Sequence, residues 1–235
     1  MLEDSLEKQS CDFELITIDN QNNKYSNMAE AYNSISNNIN GDVILFCHQD
    51  ISFPNDETLS KIEDNILKNV DSVVGLCGIT KEKKVYSNLK YKKTGEYITS
   101  NQIDNNLEVE SLDECCFGMR KELIDELGWF DEEICNGWHL YAAELCIRAI
   151  KNDKKIIVIP TDCYHREEAS RGIRIDDSFI NIFKRIRNKY RDVNPLYSVS
   201  LVANTKLPMF GLTMFKLRLK YRKNKHNEDY CWREQ

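Results

Sequence analysis

The sequence has no hydrophobic run that approaches the ~20 residues required to cross a bilayer. Its first ten residues carry three acidic side chains and one basic one, where a signal peptide would have a basic segment followed by an apolar one. Basic charge is scarce overall, because 32 lysines and arginines face 38 acidic residues and leave a formal charge of −6. We therefore expect a cytoplasmic protein that is not exported and does not bind nucleic acid.

Paired cysteines are missing as well. None of the nine cysteines forms a CxxC pair with zinc-site spacing, and several lie inside apolar runs. Such thiols are typical of buried residues in a reducing compartment. With 235 residues, of which 41% are hydrophobic, the chain can bury a full core without disulfides.

The first third of the chain alternates between strand-like and helix-like patterns. The predicted elements are a strand at 13–18, a helix capped by Ser26 and closed by Asn40-Gly41, a strand at 42–47, a helix at about 57–69 and a strand at 72–78. Because only apolar residues follow Asp42 through Cys47, we interpret this strand as a central parallel strand covered on both faces. The alternation predicts an α/β fold.

The rest of the chain carries fewer strand signals. The pattern predicts polar loops or hairpins at 81–112, helices at 121–127, 140–151 and 178–190, a last core strand at 155–159, and an active-site loop or solvated turn at 161–177 with Gly172 as a hinge candidate. We expect one α/β domain at 1–177 and a helical appendage at 178–235.

Polar side chains follow three of the predicted strands at the point where each strand ends. They are Asp19-Asn20, His48-Gln49-Asp50 and His165. Ligands of open α/β sheets bind beyond the carboxyl ends of the strands. A carboxylate and an imidazole brought together there can hold Mn²⁺ or Mg²⁺ and leave positions open for diphosphate oxygens. Simpler roles stay open, since Asp19 could cap the next helix and His165 could be an ordinary hydrogen-bonded residue.

These residues resemble a known family, the family 2 glycosyltransferases with the GT-A fold, and within it the streptomycin-biosynthesis-type branch. The resemblance covers about Phe13 to His165 and rests on Ile18-Asp19-Asn20, Ala31-Tyr32-Asn33, Phe46-Cys47-His48-Gln49-Asp50-Ile51, Gly137-Trp138-His139-Leu140-Tyr141-Ala142-Ala143-Glu144-Leu145 and the His165 loop. It implies a GT-A-like, mostly parallel sheet flanked by helices, similar to a Rossmann fold. It also implies inverting, metal-dependent transfer of a hexosyl or deoxyhexosyl group from a nucleoside diphosphate sugar to an acceptor hydroxyl.

The resemblance implies roles for the residues at the strand ends. His48-Gln49-Asp50 stands where the family has its Asp-x-Asp motif, so Asp50 matches the final, metal-binding aspartate. His48 replaces the first acidic residue, and we expect His48 and Gln49 to contact the nucleotide. His165 resembles the late histidine that completes the coordination of Mn²⁺ or Mg²⁺ in some of these enzymes.

Asp19 and Asn20 are expected, on the same resemblance, to contact the nucleotide base. No strand-like run precedes Phe13, so we expect part of the wall that holds the base to be missing or supplied otherwise. The acceptor would be a carbohydrate or a lipid-linked molecule, in surface glycan, polysaccharide or natural-product glycosylation.

The catalytic base is where the sequence departs from the family. Aligning Glu144-Leu145 on the family pattern puts Tyr141 and Ala142 where the acidic pair lies. Alanine cannot accept a proton from the acceptor hydroxyl, so His139 and Glu144 are the candidates, with His139 favoured. This departure keeps a rival function open, a non-catalytic subunit that binds sugar nucleotides or glycans.

The residues around this base also have simpler explanations. Trp138 and Tyr141 could stack on a sugar ring, or they could pack in the core. Glu144 could pair with Arg148 one turn later on the same helix.

The C-terminal region differs in charge from the rest of the chain. Between Lys206 and Lys225, seven basic residues and no acidic one are interleaved with apolar residues. The pattern predicts a basic amphipathic helix at 206–225 that lies on the inner face of an anionic membrane or packs on the catalytic domain with a solvated basic edge. A homodimer is left open.

Overall fold

The computed structural model describes residues 1–167 and 175–224. The described helices are α1 (Leu2–Leu6), α2 (Met28–Asn33), α3 (Thr58–Lys68), α4 (Lys121–Leu127), α5 (Tyr141–Lys151), α6 (Asp177–Lys189) and α7 (Met209–Asn224). The strands are β1 (Val43–Cys47), β2 (Ile51–Ser52), β3 (Ser72–Gly75), β4 (Cys77–Ile79), β5 (Val85–Ser87), β6 (Leu89–Lys90), β7 (Leu107–Glu108), β8 (Ser111–Leu112), β9 (Cys116–Arg120), β10 (Lys155–Val158), β11 (Cys163–His165), β12 (Leu196–Ser198) and β13 (Leu201–Ala203). The hinge candidate Gly172 lies outside the described residues.

Four predicted helices, α3 to α6, are confirmed to within one residue at each end. Their apolar residues recur at helical spacing, and in α3 this buries Thr58, Ile62 and Ile66 on one side. A strong period of this kind survives in almost any tertiary context, so these helices could be predicted from the sequence.

The helix predicted from Ser26 is shorter and begins one residue later than expected. Asn27 is the N-cap, and its Oδ1 accepts a hydrogen bond of 2.8 Å from the Glu30 backbone N–H. The backbone N–H of Ser26, the residue before the cap, donates to Glu30 Oε2 at 2.7 Å, so the Glu30 side chain also holds the entry to the helix. The predicted cap at Ser26 is therefore wrong, because both residue types can cap and only the backbone geometry selects between them. The helix ends at Asn33 and not at Asn40-Gly41.

The central sheet has the strand order β1-β9-β3-β10-β7. β3 and β10 run parallel, whereas β9 is antiparallel to both of its neighbours and β7 is antiparallel to β10. Helices cover both faces, since α2, α4 and α5 share one buried cluster with the sheet and α1 and α3 share another. The predicted α/β architecture is confirmed, but the prediction of a mostly parallel sheet is wrong, because β3 and β10 form the one parallel pair among the described strands of this sheet.

β1 lies at the edge of this sheet, so the prediction of a central parallel strand is wrong. Its partner among the described strands is β9, which sets Cys47 opposite Cys116. β1 and β9 approach each other closely at Gly118, where a Cβ would lie 2.4 Å from the backbone oxygen of Ile44. An apolar run covered on both faces looks the same at an edge as in the centre, and β9 itself was not predicted.

Residues 12–20 form no strand, so the strand predicted at 13–18 is wrong. Phe13 and Leu15 are 44% and 49% exposed. Residues of this segment and of β1 line a cavity of about 1000 Å³ that runs along the open edge of β1. An alternating pattern indicates an extended chain, but it does not determine whether the chain finds a hydrogen-bonded partner.

The C-terminal elements share a core with α5. Leu140, Ala143 and Ile147 pack in one buried cluster with residues of α6, the β12–β13 hairpin and α7. The boundary at 177 stays a prediction, although residues 175–224 pack directly on the first part of the chain. No helix within the described ranges combines the length and the apolar character that a membrane span needs.

Candidate functional site

His48, Asp50 and His165 come together just beyond the end of β1. Each offers one ligand atom, and the three atoms lie within 4.8 Å of one another. β2 follows this turn and pairs with β11, which sets Ile51 opposite His165. The backbone N–H of Arg166 donates to the backbone oxygen of Asp50 at 2.9 Å. Strand pairing therefore joins two segments that lie more than a hundred residues apart in the sequence.

An imidazole and a guanidinium lie beside the Asp50 carboxylate. His165 Nε2 lies 3.5 Å from Asp50 Oδ1, and Arg166 Nε lies 3.5 Å from Oδ2. The His165 imidazole is the main cause that lowers the pKa of Asp50 to about 2, with His48 and Arg166 adding to it against the effect of burial. Asp50 is therefore ionised throughout the neutral range.

His165 has an unmet hydrogen-bonding need. Its side chain is 10% exposed, and the buried Nε2 makes no hydrogen bond to any described residue, since 3.5 Å to Asp50 is long for one. A divalent cation held between a buried imidazole nitrogen and an ionised carboxylate would satisfy both groups. The three side chains thus fit a divalent metal, with nitrogen and oxygen donors that suit Mn²⁺ among others.

His48 is tied to the core on its other side. Its Nε2 shares a hydrogen bond of 3.1 Å with the hydroxyl of Tyr141, which is fully buried among aromatic rings at the start of α5. Burial lowers the pKa of His48, so the imidazole is neutral at neutral pH and can donate a lone pair. Tyr141, which was predicted to contact a sugar or to pack in the core, lies in the core.

The cavity along β1 reaches this cluster. Among its lining residues are Asn20, His48, Gln49, Asp50 and Trp138. Trp138 is 41% exposed, so a ring face is accessible to a ligand. The cavity volume of about 1000 Å³ matches the upper part of the usual range for ligand pockets, roughly 300–1,000 Å³.

The Asp19-Asn20 pair organises its own loop. Asp19 Oδ1 accepts a hydrogen bond of 2.8 Å from the Gln21 backbone N–H. The Asn20 side-chain amide makes two hydrogen bonds to the backbone of Tyr25. It accepts one of 2.8 Å from the Tyr25 N–H and donates one of 3.1 Å to the Tyr25 carbonyl. Asp19 therefore caps a turn and not the next helix, while Asn20 also borders the cavity.

His139 forms an acid–base pair with Glu114. Its Nδ1 lies 3.5 Å from Glu114 Oε2, and the two side chains are 41% and 16% exposed. Leu140 has a φ of 69°, a left-handed conformation that costs a leucine about 1–2 kcal/mol and turns the chain between His139 and α5. Strain of this kind is common at functional sites.

The pair is electrostatically coupled. The Glu114 carboxylate beside Nδ1 raises the pKa of His139, and the charges of Asp176 and Asp113 act in the same direction. Burial raises the pKa of Glu114, whose Oε1 has no hydrogen-bond partner among the described residues. His139 can therefore take up a proton near neutral pH, and the Glu114 side chain beside it can stabilise the positive charge that results.

Glu144, the second candidate base, lies in a buried ionic network. Its side chain has no exposed surface, and its Oε2 accepts from Arg148 Nη2 at 2.8 Å. The Tyr190 hydroxyl donates to Oε1, and Lys189 Nζ lies 3.6 Å away. The alternative interpretation, a pair with Arg148 on the same helix, describes its surroundings and links α5 to α6.

We expect Glu144→Gln to destabilise the fold by about 2–3 kcal/mol, because it leaves Arg148 without its carboxylate partner. The loss is smaller than for a fully buried ion pair, because Arg148 and Lys189 are partly exposed to solvent. Urea unfolding followed by circular dichroism measures the change. The surface variant Glu126→Gln, which removes a partner of Lys154 at 3.1 Å, is the matched control with an expected loss below about 0.5 kcal/mol. Unchanged stability with abolished activity would instead make Glu144 a catalytic residue.

Glu114 and Arg166 were missed by the sequence analysis. Glu114 precedes β9, and because β9 is antiparallel to β1, its beginning lies beside the end of β1, where the Cys115 carbonyl accepts from the His48 N–H at 2.8 Å. The proximity of Glu114 to the end of β1 cannot be predicted until the pairing of β1 with β9 is known. For Arg166, its position directly after His165 was the available signal.

Comparison with known proteins identifies the family. The sequence pattern of the "Glycosyltransferase like family" matches residues 6–171, and no curated protein matches the chain. The chain is similar to a solved structure described as "Crystal structure of GalNAc-T7 with UDP, GalNAc and Mn2+", with a TM-score of 0.52 and 12% identity, over 86% of this chain and 45% of that one. This likeness confirms the GT-A-like fold, and the chain spans less than half the length of that relative. Since the family pattern covers most of its 235 residues, the protein belongs to the Glycosyltransferase like family.

Proposed function

We propose that the protein is an inverting, metal-dependent family 2 glycosyltransferase of the streptomycin-biosynthesis type. It moves a hexosyl or deoxyhexosyl group from a nucleoside diphosphate sugar to a hydroxyl of a carbohydrate acceptor, free or lipid-linked, on the cytoplasmic side of the membrane. The observation that carries the proposal is the cluster of His48, Asp50 and His165, which opens on a cavity large enough for such a donor.

The donor would lie in the cavity along β1. Asn20 borders it from the loop that Asp19 organises, Gln49 borders it from the cluster, and Trp138 offers an exposed ring on which a base or sugar can stack. A solved relative of the same fold is described with UDP and Mn²⁺, which supports a nucleoside diphosphate and this metal as the first candidates to test.

The three side chains have distinct tasks at the diphosphate. Asp50 supplies the ionised carboxylate, and His165 supplies a buried nitrogen that has no hydrogen-bond partner among residues 1–167 and 175–224. A hydrogen bond from His48 Nε2–H to Tyr141 would leave the lone pair of His48 on Nδ1 and fix its tautomer. A divalent cation held there would offset the charge that develops on the departing nucleoside diphosphate.

His139 is the catalytic base in this proposal. Its Nε2 takes the proton of the acceptor hydroxyl while that oxygen attacks the anomeric carbon from the face opposite the leaving group, as inversion requires. Glu114 holds Nδ1 at 3.5 Å and stabilises the imidazolium that results. The burial of Glu144 in its ionic network favours His139 over Glu144.

The test is a panel of nucleotide sugars incubated with the protein and Mn²⁺, with release of the nucleoside diphosphate as the readout. We expect slow, acceptor-independent hydrolysis of one donor that stops when the metal is chelated. Tight donor binding without any release, even with acceptors present, would favour the rival, a non-catalytic binding subunit. Absence of both binding and release across the panel would contradict both functions.

A further inference from the structure

Helix α7 has two apolar faces, and the described residues of the protein cover only one of them. Phe210, Met214 and Leu217 are buried against the cluster formed with α6. Leu212, Phe215 and Leu219 lie at the complementary positions and are 50%, 60% and 50% exposed. At about 100° per residue, these three side chains share one side of the helix, opposite the buried one. We call them the outer stripe.

Exposed apolar residues are concentrated here. Of the twelve large hydrophobic residues that are exposed in the described ranges, five lie between 207 and 219, where Leu207 and Met209 precede the outer stripe. The other seven are spread over the remainder of the described chain. Single exposed apolar side chains need no explanation, whereas a contiguous group rimmed by polar residues marks an interaction surface.

Cations frame the outer stripe. Residues 206–223 contain six lysines and arginines and no acidic residue, in a chain whose formal charge is −6. Helical geometry puts Lys216 and Lys223 on one side of the stripe and Arg222 on the other. Arg218 faces the protein instead, where its Nε donates to Asp177 at 2.7 Å and fixes α7 on α6.

We propose that the outer stripe and its flanking cations form a docking surface for an anionic lipid bilayer. The apolar side chains enter the boundary between headgroups and acyl chains while the lysines and Arg222 meet the phosphates. A second copy of the chain is a poorer partner, because a two-fold contact would bring two cationic frames together. α7 would lie in the membrane plane, which suits a transferase whose acceptor is lipid-linked, but the docking does not depend on that reaction.

The experiment is flotation of the whole protein with vesicles of phosphatidylcholine alone or mixed with phosphatidylglycerol, without donor or acceptor. We expect flotation with the mixed vesicles only, a loss of it in high salt, and at least a tenfold weaker partition for the triple variant Leu212→Gln, Phe215→Gln, Leu219→Gln. Glutamine keeps helix propensity, so the fold is retained and is verified by circular dichroism. The matched control is Leu67→Gln with Val70→Gln, two exposed apolar residues at the end of α3 that should leave flotation unchanged.

Three outcomes would overturn the proposal. The first is a wild-type protein that stays at the bottom of the gradient with both vesicle types. The second is a triple variant that floats as well as wild type. The third is a concentration-dependent dimer, seen by light scattering, that only the triple variant abolishes, since this would assign the outer stripe to self-association. Donor hydrolysis is measured separately, so failure here leaves the proposed reaction standing.

Discussion

Asp50→Asn should lower metal-dependent donor hydrolysis by roughly a hundredfold or more, because it removes the only carboxylate of the cluster while keeping its shape. The pKa of Asp50 is lowered to about 2, so wild type keeps this charge at every pH at which activity is measured. Initial rates at saturating Mn²⁺ and at limiting Mn²⁺ separate lost metal affinity from lost turnover.

Asp162→Asn is the matched control for this variant. Asp162 lies just before β11, is 51% exposed, and contacts Lys90 at 3.0 Å rather than the cluster. A surface pair of this kind contributes little, so we expect the rate to change by less than about twofold. If Asp50→Asn keeps wild-type activity and wild-type dependence on Mn²⁺, the cluster is not the metal site.

The second large effect is expected at the acid–base pair. His139→Gln should reduce turnover by roughly 10²–10⁴-fold with little effect on the apparent affinity for the donor, as removal of a general base does. Glu114→Gln should cause a smaller loss of rate. Steady-state kinetics with a donor and acceptor pair identified from the panel measure both variants.

The pH profile distinguishes a catalytic pair from a structural one. His139 must be neutral to accept a proton, so the rate falls as the pH drops below its pKa, which Glu114 holds above the ordinary value of 6.5. Glu114→Gln removes the main cause of the raised pKa, so the acidic limb should move to lower pH. Asp176 and Asp113 remain in the variant and keep part of the shift. An unmoved limb would make Glu114 a structural residue.

The helices and the meeting of Asp50 and His165 at the strand ends could be predicted from the sequence because the signals are local. The helical spacing of apolar residues predicts α3 to α6. The polar residues that directly follow an apolar run predict the end of β1. Asp50 and His165 could be linked from the sequence by the general rule that ligands collect at strand ends. The structure brings His48 into the same cluster, whereas the family resemblance predicts a nucleotide contact for this residue.

The remainder depends on pairing between distant strands. The edge position of β1, the insertion of β9 and the approach of Glu114 to His139 all follow from one antiparallel register, in which Cys47 lies opposite Cys116. No local pattern specifies that register. Likewise, the burial of Glu144 depends on the packing of α6 against α5, which brings Tyr190 and Lys189 to its carboxylate.

Mn²⁺ titration followed by electron paramagnetic resonance tests the central claim most directly, because the signal of free Mn²⁺ vanishes on binding. The cation is used alone, since free nucleoside diphosphates bind it too. We predict one bound Mn²⁺ per chain in wild type and in Asp162→Asn, binding that weakens at acidic pH because protons compete with metals for their ligands, and loss of binding in Asp50→Asn and His165→Gln. Mn²⁺ that stays free beside the wild-type protein, or binds equally to all four proteins, would contradict a metal site at His48, Asp50 and His165.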